Sequence, residues 1–146
     1  MPSLALRCLF AVLLSCFVAI TAPAQDVHTP APGSEERKAI MDALREPFER
    51  DLRQEVIFKV DMLRVSEDWA AVRVTPQRPG GGKIDYSRTH YREQMEADVF
   101  DPSGEALLQM DGGPESWKVV KWRFGQTDSE LSNWIKKYGA PESLDR

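Results

Sequence analysis

From Ser34 onward the apolar positions of this chain follow first a helical and then a strand-like period. Ile40, Ala43, Leu44 and Phe48 recur at steps of one, three and four residues, a spacing that lays one apolar stripe along a helix. Ser34 stands ahead of the stripe as an N-cap, with Glu35 and Glu36 in the first turn, where the helix dipole favours acids. Pro47 interrupts the hydrogen-bond ladder, so the helix is predicted to stop or kink near Arg45. Beyond it the period falls to two. Val56, Phe58, Val60 and Met62 alternate with Ile57, Lys59 and Asp61, the pattern of a half-buried strand. Ser66-Glu67-Asp68 reads as a turn into a second strand over residues 69–75. That strand carries Ala70, Val72 and Val74 on one side and Trp69, Ala71, Arg73 and Thr75 on the other, completing a β-hairpin.

Residues 76–82, with three consecutive glycines, read as a loop. The stretch 83–100 has weak patterning, and a short helix is expected over 91–97. Asp101-Pro102-Ser103-Gly104 reads as a turn before a strand at 106–110, and Asp111-Gly112-Gly113-Pro114 as a turn into a strand at 117–124. The last helix has the strongest signature. Thr127-Asp128-Ser129-Glu130 has the form of a capping box, and Leu131, Trp134, Ile135 and Tyr138 share one face. Lys136 and Lys137 sit near its end, Gly139 caps it and Pro141 prevents continuation. The predicted class is α+β: about four antiparallel strands, with N- and C-terminal helices packed on one face.

The first 24 residues change the picture of where the protein works. Arg7 precedes an almost wholly apolar run over 9–20, and Ala22-Pro23-Ala24 is a small-x-small site, the layout of a secretory signal cleaved after Ala24. The run is shorter than the ~20 apolar residues a membrane span requires. Leu13-Leu14-Ser15-Cys16 loosely resembles a lipoprotein box, but the apolar run continues beyond Cys16, so lipidation there is not the favoured reading. The expected organisation is a signal at 1–24, a flexible linker at 25–33, one domain at 34–141 and a tail at 142–146. The exported product, periplasmic or extracellular, would lose both cysteines, Cys8 and Cys16. Disulfides, thiol nucleophiles and cysteine-ligated metals are thereby excluded from it.

The chain has 146 residues and a net charge of -4. Removal of Arg7 with the signal takes the exported form to -5. An acidic chain without a basic block is a poor nucleic-acid ligand. Its two histidines, His28 and His90, are far apart in sequence, and no metal or cofactor motif is present. The acid–base candidates are Asp85, Tyr86 and His90, with Tyr91 and Glu93 beside them. The stronger candidate is a surface. If the helices cover the Val72–Trp122 side of the sheet, the other side presents Trp69, Arg73, Trp117, Lys121 and Arg123, aromatic and cationic groups suited to a protein, an anionic component or a glycan of the envelope.

Pro32-Gly33-Ser34-Glu35-Glu36-Arg37-Lys38-Ala39-Ile40, Trp69, Gly125-Gln126-Thr127-Asp128 and the run from Trp134 to Pro141 resemble a group of small exported bacterial proteins of unassigned activity. The resemblance implies export and a single domain, and brings no catalytic residues. At fold level the helix-then-sheet order is similar to cystatin-like and NTF2-like modules, which does not license an activity. The expected function is that of a non-enzymatic binding protein of the bacterial envelope, an inhibitor, immunity or accessory factor acting through a sheet face. The alternative is an NTF2-like pocket that binds a small molecule or transfers a proton with His90.

Overall fold

The computed structural model describes residues 26–146. The expected signal, its cleavage site, Cys8 and Cys16 lie outside the described residues. The elements run β1 (Val27–His28), α1 (Glu35–Leu52), β2 (Ile57–Ser66), β3 (Trp69–Gln77), α2 (Arg92–Glu96), β4 (Asp101–Met110), β5 (Trp117–Gly125) and α3 (Leu131–Tyr138), followed by a 3-10 turn at Glu142–Asp145. The five strands form one antiparallel sheet in sequential order. The class is α+β as predicted, with one strand more. The fifth comes from the expected linker, where Val27 and His28 pair with Ser66 and Val65.

Ser34 caps α1 through its Oγ, which accepts a hydrogen bond from the Arg37 N–H at 3.3 Å. The helix does not stop at Pro47 but continues to Leu52, and Phe48 and Leu52 are buried at its far end. Proline inside a helix costs about 3 kcal/mol, while burying two such side chains is worth about 1.5–3 kcal/mol each, so tertiary packing overrides the local break. Together with Ile40, Met41 and Leu44 they pack on one face of the sheet against Val56, Leu63, Val65, Ala70, Val72, Val74, Ala106, Leu108 and Phe124.

The second helix lies on the other face. Leu131, Trp134 and Ile135 of α3, with Ala140 and Leu144, bury Trp69, Ala71 and Leu107. The expectation of both helices on one face is therefore corrected. The cause is the apolar content of the strands: Ala71 and Leu107 are completely buried and sit on the side opposite Val72 and Ala106, so that side also needs a cover. The expected C-terminal tail completes it. Leu144 is fully buried, and its carbonyl accepts a hydrogen bond from Arg64 Nη1 at 3.2 Å.

Two bulges set which side chains face which cover. Between Val60 and Met62 the β2–β3 register shifts at Asp61, so Phe58 and Val60 pack under α1 while Met62 crosses to the α3 side. In β5 the register shifts at Val120, so Leu108 pairs with Val119 but Leu107 with Lys121. Trp117 and Val119 thus share the α1 side with Trp122 and Phe124. The residues read as a turn at 101–104 instead open β4. Their turn-like chemistry survives as a bond from the Ser103 N–H to Asp101 Oδ1 at 3.1 Å, inside an irregular pairing between Asp101 and Gly104. Gly104 is required there, because a Cβ would lie 2.4 Å from the Phe48 ring.

Candidate functional site

The α3 cover spans only part of its face. Beyond it, one residue from each of four neighbouring strands forms a row: Met62 pairs with Arg73, Arg73 with Glu105, and Glu105 with Arg123. Paired residues of adjacent strands point to the same side, with side chains in contact range. The extra residue at Val120 creates this row. An unbroken register from the Leu108–Val119 pair would have placed Trp122 opposite Glu105.

Glu105 is the centre of the site and is only 5% exposed. Its Oε1 accepts from Arg73 Nη2 at 2.9 Å and from Ser129 Oγ at 2.6 Å. Its Oε2 accepts the Glu130 backbone N–H at 3.0 Å and lies 3.5 Å from Arg123 Nε. Burial pushes this carboxyl up, but the bonds from Ser129, the Glu130 N–H and Arg73 outweigh it and hold the group below the ordinary carboxylate range. Glu105, from strand β4, thus holds the start of α3 and places a negative charge at the helix N-terminus. The capping box read at residues 127–130 is not made: no side-chain cap forms at Glu130, whose carboxylate instead accepts from Asn133 Nδ2 at 2.8 Å. The buried carboxylate 25 residues earlier has displaced the local cap.

The row borders a cleft of about 320 Å3, also lined by Asp101, Ser103, Gln126, Thr127, Asp128 and Ser129. Arg123 is one-fifth exposed, and its buried Nη2 has no hydrogen-bond partner among the described residues. Two guanidinium groups share one buried carboxylate, and one donor of the inner arginine is left over.

Of the residues expected on one open surface, the structure brings Arg73 and Arg123 together at this cleft. Lys121 is exposed and lies one row away, opposite Leu107. Trp69 shares their side but is 8% exposed beneath the α3 cover. Trp117 is on the opposite side, packed near α1, with its indole N–H donating to the Pro114 carbonyl at 3.0 Å. The continuous tryptophan–arginine surface is not formed, because the β5 bulge reverses the parity of Trp117 relative to Arg123.

The acid–base candidates also separate. The Tyr86 ring lies 5.2 Å from Phe100 within an aromatic cluster that includes Phe124, and burial pushes its phenol up to about 12. Tyr91 donates to Asp51 Oδ2 at 2.5 Å, and burial, followed by that bond, raises its phenol well above the usual range. The His90 ring lies tilted against Tyr91 with centroids 3.9 Å apart but is itself exposed, as are Asp85 and Glu93. Asp85 bonds to the Ser87 N–H at 3.0 Å, and its interaction with Ser87 holds its carboxyl low. These groups do not converge on one point.

Among the described residues, no group of three or more His, Cys, Asp or Glu could hold a metal ion, and no helix is long and apolar enough to cross a membrane. Sequence reasoning missed Glu105, which falls between the expected turn at 101–104 and the expected strand at 106–110. Its signal was a lone carboxylate directly before Ala106-Leu107-Leu108, an acid in a buried run that requires a partner. Comparison of the chain with family models, curated proteins and solved structures yields no match.

Proposed function

We propose that this chain is an exported, non-enzymatic binding protein of the bacterial envelope, an inhibitor, immunity or accessory factor whose partner is a protein. The observation that carries the reading is the Arg73–Glu105–Arg123 row, two guanidinium groups sharing one buried carboxylate beside an open polar cleft. The segment over residues 1–24 supports export. One helix followed by long antiparallel strands in sequential order supports the fold-level likeness to cystatin-like modules, a likeness that assigns no activity.

The test is capture of partners by the tagged mature chain from its own host's envelope fraction, read by mass spectrometry. One stoichiometric protein is expected, lost on Arg123→Gln and retained on Lys136→Gln, an exposed change on α3. Recovery of no partner, or loss on His90→Ala with retention on Arg123→Gln, overturns the reading.

A further inference from the structure

We infer that the cleft beside Arg123 seats an acidic side chain of the partner that has a basic residue next to it. This deepens the binding reading above and rests on it. The acid is called for by the row itself. Arg73 and Arg123 both draw on Glu105, so the three groups carry one positive charge in excess, and both arginine side chains line the cleft. A carboxylate is the strongest acceptor a protein can bring to a guanidinium.

The basic neighbour is called for by the rest of the lining. Asp101 and Asp128 line the same cleft, and among the described residues neither forms an ion pair with Arg73 or Arg123. One oxygen of Asp101 is occupied by the Ser103 N–H. These four charged side chains and Glu105 line one cleft of about 320 Å3, where close charges are little screened by salt. Any ligand group there feels all five charges. A lone carboxylate would meet the arginines and the two aspartates together, and the lining as a whole carries one net negative charge. A carboxylate paired with a cation satisfies both signs, while Gln126 and Thr127 add neutral donors and acceptors around them.

The experiment titrates the full mature chain with three blocked dipeptides and follows the Arg73 Nε–H and the backbone amides of Gln126 to Ser129, all of which line the cleft, by NMR. The probes are acetyl-Glu-Lys-amide, acetyl-Glu-Gln-amide and acetyl-Gln-Gln-amide. Saturable binding of the first is expected, with the second about fivefold weaker for the loss of one partly exposed ion pair. The third should do no more than matched sodium chloride. Arg123→Gln, which leaves the Arg73, Ser129 and Glu130 bonds to Glu105 in place, should abolish binding of the first without unfolding the chain. Asp128→Asn should reduce the preference for Glu-Lys over Glu-Gln. Equal responses to all three peptides, or no saturation by any, overturn the inference. If a protein is captured in an Arg123-dependent way while the cleft takes none of the dipeptides, this chemistry is wrong and the binding reading stands. Saturable Glu-Lys binding without any captured partner supports the cleft chemistry and sinks the partner.

Discussion

The two faces of the sheet solve the same problem with different materials. The α1 face is apolar along its length, and Phe48 meets Phe58, Trp122 and Phe124 at centroid distances of 4.9–5.6 Å. Its cover is long, capped by its own Ser34 and held by shape. The α3 face is apolar only under Trp69, Ala71 and Leu107, and its cover is an eight-residue helix. A helix that short is marginal alone. It is fixed instead by the Trp134 side of its surface and by a carboxylate from the sheet at its N-terminus. A face that needs half a cover leaves the other half polar, and the charged row and its cleft occupy the boundary.

The comparison can be broken most severely on the α3 side. Trp134→Ala should destabilise by about 3–5 kcal/mol as a core truncation, measured by chemical denaturation. A loss under about 1 kcal/mol would mean that α3 is not seated on the sheet as described. Glu105→Ala should cost about 3 kcal/mol. That is the low end for breaking a buried pair, because the Arg73 side chain remains 41% exposed. The same residue predicts a pH dependence. Its folded-state carboxyl titrates below the ordinary value of 4.5, so its contribution is fully present above that value and is lost as pH falls through the folded one. The stability gap between wild type and Glu105→Gln should therefore narrow in acid, and a gap constant down to about pH 3 would contradict the bonding shown.

On the α1 side, Gly104→Ala should cost about 1–3 kcal/mol, since the added methyl forces Phe48 out of its place. A neutral result would mean that α1 can shift as a body, a freedom its aromatic contacts argue against. The smallest effect is expected at His90→Ala, within about 0.5 kcal/mol and with partner capture unchanged. Loss of capture without unfolding would return attention to the segment around Tyr91.

Much of this fold was legible along the chain. Ser34 and Gly139 bound their helices as read, the face of β3 was assigned correctly, and Leu131, Trp134 and Ile135 form the buried side of α3. The site was legible in part. Arg73 and Arg123 were expected to share a side and do, but Trp117 was placed with them and Glu105 was left out. Periodicity explains both outcomes. Alternation assigns sides correctly until one residue is inserted, and the bulges at Asp61 and Val120 each reverse it without any local mark in the sequence.

What the sequence determined by itself is what neighbouring residues can decide among themselves: the starts and ends of helices, the apolar stripes and the antiparallel hairpins. The tertiary structure alone decided the competitions between near and distant partners. Burial of Phe48 and Leu52 overrode Pro47, and Glu105 displaced the capping box of α3. A contact between residues far apart in the chain carries free energies of the same size as a local cap or a proline penalty, so only the assembled sheet determines which prevails.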